Sequence, residues 1–192
     1  MPKLYSNPWK DRKNLKHKAK YYVRGQFYKF LLKKYCKGCK TILDVACGPG
    51  HFMKLAEKMG FKAYGVELDE RYRAKNVFIK DLWKFNRKFD VVFNSFILEH
   101  AEDQQKFVDK MASLSNNIVI TITAYLSRSF YDVPDHKKPA TKVGIRWMLR
   151  RAGFRNLLSI HIPFYKAVVV VSKKVTPKDK DKESELIRNG FW

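Results

Sequence analysis

Three carboxylates close apolar runs in the first half of the chain: Asp44 inside Ile42-Leu-Asp-Val45, Glu67 after Gly65-Val66, and Asp81 shortly after Val77-Phe-Ile79. A carboxylate at the end of a buried strand repels a pyrophosphate but holds a cation. Between the first two lies Cys47-Gly-Pro-Gly50. Gly48 and Gly50 tolerate positive φ and let a ligand approach the backbone closely. A helix starting at His51 would turn its unpaired N–H groups toward the same place. Glu67, about 20 residues beyond the turn, is placed to accept hydrogen bonds from both hydroxyls of a ribose. The chemistry these residues describe is that of a site for a ribose-bearing, positively charged ligand.

Such side chains need a scaffold. Ile42, Leu43 and Val45 form the apolar run of a strand covered on both faces, and Phe52, Leu55, Ala56 and Met59 recur at helical spacing. Further strands are expected at Phe61–Val66, Asn76–Ile79, Phe89–Phe93 and Asn117–Thr123. The short distance from Glu67 to Asp81 leaves room only for a brief helix, with Asp69 as its N-cap. Alternating strands and helices define an α/β class with a parallel sheet. Ligands of such sheets bind at the carboxyl ends of the strands, so Asn94 and Ser95 are expected to face ligand or substrate.

Glu99 is expected to open a helix running to Leu114, with Gln104, Phe107, Val108 and Met111 inward; its charge suits a helix N-terminus. His100 is a candidate general base toward a hydroxyl or amine. Ala124 to Pro139 reads as a long loop bearing Arg128, Tyr131, Asp135, His136, Lys137 and Lys138, at an edge where long loops select substrates. His136 reads as a solvated loop histidine, with a base or substrate ligand as the alternative. A helix follows over Thr141–Ala152, carrying Lys142, Arg146, Arg150 and Arg151 around Val143, Trp147 and Met148, and Gly153 stops it.

The string LDVACGPG resembles the first motif of class I S-adenosylmethionine-dependent methyltransferases, with Ala46 in place of the first glycine. GVELDE is similar to their GVDIS pattern, FDVVFNSFILEH to their FDVV…LEH signature, and Ala152-Gly-Phe154 to the AGF that introduces a sixth strand. The resemblance runs from Thr41 to Lys174. It implies a Rossmann-like, doubly wound, seven-stranded and mostly parallel sheet with an antiparallel last strand (Lys166–Lys174) and helices on both faces, with His161 to Tyr165 as a turn. It implies S-adenosyl-L-methionine as cofactor, held by Asp44, Ala46, Gly48, Gly50, Glu67, Asp81, Leu82 and Asn94. In the family an acid at the Asp81 position bonds the adenine amino group and the next backbone, here Leu82, supports the ring; Trp83 is expected to pack, with walling the pocket as the alternative. His100 and Asn94 are the catalytic candidates for in-line transfer of the sulfonium methyl. No N/D-P-P-Y/F motif follows the fourth strand, which counts against amino groups of bases or glutamine as acceptors. Small-RNA 2′-O-methyltransferases carry an E-x-x-E-H metal site; Glu99 and His100 match it, but Phe96 stands at the first glutamate, so no metal is expected.

With 192 residues, 45% of them hydrophobic and 15% aromatic, the chain can bury one core. No apolar run approaches the ~20 residues that span a membrane, and the basic N-terminus lacks a signal-peptide core; a soluble cytoplasmic protein is expected. Three cysteines do not form a disulfide framework. Cys36-Lys-Gly-Cys39 is a lone C-x-x-C, read as small residues packing at a helix end, with zinc or redox chemistry as the alternative. Cys47 reads as a packing residue of the turn.

The formal charge is +22 at pH 7, and its distribution is uneven. Residues 1–40 carry thirteen basic side chains and one acid, and residues 128–156 carry eight basic and two acidic, while 41–127 is nearly neutral. Clustered charge points to an anionic partner, with RNA or a ribonucleoprotein ahead of a phosphorylated metabolite. The expected organisation is a basic N-terminal arm and capping helix over 1–40, a methyltransferase domain over 41–174, and a charged, flexible tail over 175–192. In the helix, Leu15, Ala19, Tyr22, Val23, Phe27, Phe30, Leu31 and Tyr35 would form the buried face. Its basic face is read either as solvated or as part of a cap over the cofactor site. The competing functions are a small-molecule methyltransferase and a non-catalytic, cofactor-binding module that uses its charge to hold nucleic acid or a partner. The sequence does not fix the oligomeric state.

Overall fold

The computed structural model describes residues 15–125, 130, 133, 135–163 and 166–176. The expected arm over 1–9, Arg128 and Tyr131 of the long loop, Tyr165 of the expected turn and the tail beyond 176 lie outside the described residues.

Two compact units are present, Met1–Lys37 and Gly38–Trp192. The first contains helix α1, Leu15–Tyr35. Among its described side chains Tyr28, Leu31 and Leu32 are buried, whereas Tyr22, Val23 and Phe30 are exposed at 68%, 52% and 48%. Of the described part of the expected face, Leu31 is buried and Phe27 and Tyr35 are half-buried. Aromatic and apolar residues stand on nearly every side of this helix, so the 3.6-residue period does not single out one stripe.

The second unit is built on a seven-stranded sheet: β1 Thr41–Val45, β2 Lys62–Glu67, β3 Val77–Ile79, β4 Phe89–Ser95, β5 Ser115–Ala124, β6 Phe154–Ile162 and β7 Ala167–Lys174. The strand order is β3-β2-β1-β4-β5-β7-β6. β1 pairs parallel with both β2 and β4, and β7 runs antiparallel between β5 and β6. A continuous apolar run suits a strand flanked and covered on both sides, and Ile42 to Val45 are accordingly all buried. β6 extends through His161 to Ile162, so the expected turn at His161 begins later; pairing with Val168 and Ala167 carries the ladder that far.

Helices α2 (His51–Lys58), α3 (Gln104–Leu114) and α4 (Lys142–Arg151) cover the sheet. Leu43, Val45, Val92 and Val119 pack with Val108 and Met111 of α3 and with Ile145 and Leu149 of α4. α2 lies against β1 and β2, and its Phe52 stacks on Phe93 of β4 with ring centroids 3.6 Å apart. Burying each such side chain contributes about 1.5–3 kcal/mol.

Two expected helices are shorter than their sequence reading. Between Glu67 and Asp81 there is only a 3-10 turn, Glu70–Tyr72, capped by Asp69 through a bond from the Arg71 N–H. Glu99 does not open the long helix. It lies in a separate 3-10 turn, Leu98–His100, and α3 starts only at Gln104, where Asp103 accepts from the Lys106 N–H. Asp103 is the stronger N-cap, so the helix yields to it.

Chain direction reverses about β1: β2 and β3 are laid to one side, and the chain then returns to place β4 on the other. The crevice at the carboxyl ends of β1 and β4 is therefore the topological switch point of the sheet.

Candidate functional site

At that switch point the backbone bends through three left-handed residues in five. Ala46, Gly48 and Gly50 have φ of 55°, 49° and 70°. Gly50 is the N-cap of α2, so the helix opens directly out of the turn. The turn is tied to the end of β2: the Ala46 N–H donates to the Val66 carbonyl at 2.9 Å, and the Gly48 N–H donates to Glu67 Oε2 at 2.9 Å. Ala46 stands where the resembled motif has its first glycine, and the structure holds it in the conformation a glycine would adopt at less cost.

A second contributor was not singled out from the sequence. A Cβ on Gly65 would lie 2.4 Å from Cys47 Sγ and 2.7 Å from Met53 Sδ. Gly65 is the residue that lets the turn and α2 press against β2. Its signal was present as a lone glycine inside a strand, which marks a close approach of another segment.

Asp44 sits opposite Gly65 and Phe93 in the ladders and is 5% exposed. Among the described residues no donor is hydrogen bonded to its carboxylate. Burial, and after it the charge of Glu67, push the carboxyl well above its ordinary range. A buried acid left in this state is matched by a ligand that brings its own positive charge and donors.

Glu67 ends β2 with a partly exposed carboxylate that also accepts from the Leu68 and Asp69 N–H groups. Asp81 follows β3, accepts from the Trp83 N–H at 2.9 Å and caps a 3-10 turn over Leu82–Lys84. Glu67, Asp81, Leu82 and Trp83 all line a cleft of about 620 Å³ that reaches Val45 and Ala46 on one side and Ile97 and His100 on the other. That volume is in the range of small-molecule and cofactor sites. Trp83, expected to pack, is instead 46% exposed, with Lys106 Nζ 5.0 Å from its ring.

The two catalytic candidates separate. The Asn94 side chain is fully buried, and its Nδ2 donates to Thr121 Oγ1 at 3.0 Å and to the Ile120 carbonyl, next to Met111 Sδ. It points toward α3 and does not line the cleft. Adjacent strand residues face opposite sides, so Asn94 turns away from the face on which Phe93 meets α2. His100 lines the cleft, and its Nδ1 lies 3.0 Å from the Asp135 carbonyl. His136 is brought beside it, the ring centroids 5.0 Å apart, so the loop histidine is part of this edge. Between Ser95 and this turn, Phe96 adopts a φ of 58°, and its N–H donates to the Ile122 carbonyl.

Cys47 is buried under the turn. Burial first, then Asp44 and Glu67, push its thiol up to about 12, which fits a packing residue and not a nucleophile. Cys39 accepts from Asn117 Nδ2 at 3.4 Å, and burial raises its thiol too. Neither Cys36 nor Cys39 belongs to a metal-binding cluster among the described residues.

A seven-stranded sheet in this order, with an antiparallel seventh strand and a glycine-type turn at its switch point, is the fold of class I S-adenosylmethionine-dependent methyltransferases. The chain belongs to the methyltransferase-domain family, whose model matches residues 15–160. Nothing among curated protein sequences matches it. Among solved structures it is similar to magnesium protoporphyrin IX methyltransferase from Synechocystis PCC 6803 with bound S-adenosylhomocysteine, at 18% identity, covering 84% of this chain and 88% of that one with a TM-score of 0.66. It is also similar to a SAM-dependent methyltransferase from Archaeoglobus fulgidus (19% identity, 84% and 100% covered, TM-score 0.60). A third similar structure is the 1,6-didemethyltoxoflavin-N1-methyltransferase of Burkholderia thailandensis (14% identity, 83% and 84% covered, TM-score 0.64). The cofactor of the family is S-adenosylmethionine, and the orphaned Asp44 carboxylate beside the left-handed turn fits its cationic end.

Proposed function

We propose that this methyltransferase acts on an anionic acceptor, RNA or a ribonucleoprotein ahead of a small phosphorylated metabolite. When bound, S-adenosylmethionine supplies an electrophilic methyl on a sulfonium. The chain's own residues hold and align it. Asp44 takes the cationic end, Glu67 accepts from the ribose hydroxyls, Asp81 accepts from the adenine amino group, and Leu82 supports the ring. Fixing donor and acceptor in line and excluding water is the main part of the catalysis such a site performs. Of the two catalytic candidates, His100 is the better supported, because it is among the residues lining the cleft and Asn94 is not.

One observation carries the anionic acceptor: the loop that brings His136 beside His100 also carries two lysines. The Lys137 N–H donates to the Glu99 carbonyl at 2.8 Å, and Gln104 Nε2 donates to the Lys138 carbonyl at 2.9 Å, with both lysine side chains left exposed. The backbone of two lysines is thereby held near His100, in the same basic segment that continues into Lys142, Arg146, Arg150 and Arg151 of α4.

A small-molecule acceptor is the second reading, because two of the similar structures are named for methylation of a porphyrin and of a toxoflavin precursor. Incubating the protein with methyl-labelled cofactor and a fractionated cell extract separates the readings. Label in the RNA fraction, with RNA affinity that falls steeply with salt, supports the proposal. Label in the small-molecule fraction alone contradicts it, and cofactor binding without any transfer points to a non-catalytic binding module.

A further inference from the structure

We propose that Glu99, His100 and His136 form a binding site for one divalent transition-metal ion at the rim of the cofactor cleft. One ligand atom from each of the three lies within 4.8 Å of the others. The ordering around them is what a cation requires.

Glu99 is 0% exposed. Its Oε2 accepts from Thr123 Oγ1 at 2.7 Å and its Oε1 from the Ala124 N–H at 3.2 Å, so the carboxylate is fixed against the end of β5. Yet no Lys, Arg or His forms a salt bridge with it among the described residues. Buried charges are paired with an opposite charge or coordinate a metal. The neutral donors here orient the group and leave lone pairs on both oxygens.

Both imidazoles are oriented in a complementary way. His100 Nδ1 lies 3.0 Å from the Asp135 carbonyl, and His136 Nδ1 lies 2.7 Å from the Phe130 carbonyl. A carbonyl only accepts, so each Nδ1 carries a proton, and the neutral imidazole then keeps its lone pair on Nε2. Metal-binding histidines are held in this way, with the second nitrogen donating to a backbone carbonyl or carboxylate that fixes tautomer and ring orientation. The supporting segment is itself tied down, since the Lys137 N–H bonds the Glu99 carbonyl and the His136 N–H bonds the Val133 carbonyl.

Two imidazoles and one carboxylate form the ligand set of Zn²⁺ hydrolases and of open-sited iron enzymes, which leave coordination positions for water or substrate oxygen. Phe96, which argued against a metal on sequence grounds, does not bear on this set, because the third ligand comes from the loop after β5. An ion held there gives His100 a different task from that of a free base, as an Nε2 lone pair shared with a cation is not available to a proton. For an acceptor hydroxyl entering the cleft, the ion would lower its pKa directly. That last point rests on the methyl-transfer reading; metal binding itself does not.

The test uses the full chain, stripped with a chelator and titrated with CoCl₂ in the absence of any nucleotide, following heat by calorimetry and the visible d–d absorption of Co²⁺. One equivalent should bind with absorption bands characteristic of nitrogen and oxygen ligands. His136→Gln and His100→Gln should each weaken binding at least tenfold and change the spectrum, while His161→Gln, on the edge strand β6 and outside the cluster, should leave both unchanged. Unaltered thermal melting of the histidine variants confirms folding, so the result does not depend on the buried Glu99. Absence of stoichiometric Co²⁺ binding, or binding that survives both His100→Gln and His136→Gln, would overturn the proposal. Failure to bind S-adenosylmethionine would instead count against the cofactor reading and leave the metal site standing.

Discussion

Glu67 Oε2 accepts a hydrogen bond from the Gly48 N–H at 2.9 Å, so the acid that ends β2 is also the tie that holds the turn after β1 in place. A single carboxylate thereby holds the turn and, in the proposed site, is also the acceptor for the ribose hydroxyls. Glu67→Gln exchanges an acceptor for an N–H donor at one of these points. Hydrogen bonds to charged groups contribute about 1.5–3 kcal/mol, so affinity for S-adenosylmethionine should fall about tenfold or more, measured by calorimetry. Unchanged affinity would remove Glu67 from the site.

Asp44 makes stability and binding respond oppositely to pH. Its carboxyl lies well above the ordinary 3.8 because it is buried and, secondarily, because Glu67 is near. The folded protein therefore keeps a proton that the unfolded chain loses. Stability from this group is present below the unfolded value and is lost as pH rises toward the folded one. The ligand-free Asp44→Asn protein should accordingly melt higher than the parent at neutral pH, by an amount on the order of 1–3 kcal/mol, with a flatter profile across the acid range. Affinity of the parent for the cationic cofactor should rise with pH over the same window, and that of the variant should not. A variant that melts lower at neutral pH would contradict the orphaned-carboxylate reading.

Much of this site was legible in the sequence because its parts are local. Ile42, Leu43 and Val45 make the apolar run of a covered strand, Asp44 sits inside it, and Glu67 and Asp81 follow the runs of the next two strands. The turn residues announce themselves by type. What was not legible depends on geometry between distant segments. Asn94 and Ser95 were both expected at the cleft, although neighbours in a strand face opposite sides, and only the packing of Phe93 on Phe52 decides which side is which. Glu99 was read as a helix start because an apolar period follows it, while Asp103 competes for the same role and wins. His136 reaches Glu99 and His100 through a loop whose path no periodicity encodes. α1 misled for the opposite reason, since it carries large apolar residues on too many sides for spacing to choose among them.

Gly65 is a packing requirement of the turn. Gly65→Ala places a Cβ within 2.9 Å of Cys47 Sγ, Met53 Sδ and Cys47 Cβ. Overpacking of this kind costs about 1–3 kcal/mol, seen as a drop of several degrees in Tm and weaker cofactor binding. Adding Cys47→Ala, which removes the closest atom, should recover part of the loss. A variant as stable as the parent would show that the turn does not press on β2.

Cys47 should be inert in the folded protein. With its thiol pushed up to about 12 by burial and the nearby acids, the thiolate that alkylating reagents attack is scarce at about pH 8. Iodoacetamide followed by peptide mass spectrometry should leave Cys47 unmodified in the native protein and label it after denaturation. Rapid native labelling would mean that the turn opens or that Cys47 serves as a nucleophile.

We propose that Glu67 and Asp81 in the cleft, with Asp44 buried behind the turn at its edge, make an adenosyl-sulfonium site and not a dinucleotide site. Calorimetric titration of the full chain with S-adenosylmethionine, and separately with NAD, tests it most directly. The account predicts one S-adenosylmethionine bound per chain, no measurable NAD binding, and an affinity for S-adenosylmethionine that falls about tenfold or more in Asp44→Ala. Binding of NAD in preference, or S-adenosylmethionine binding indifferent to Asp44, would contradict it.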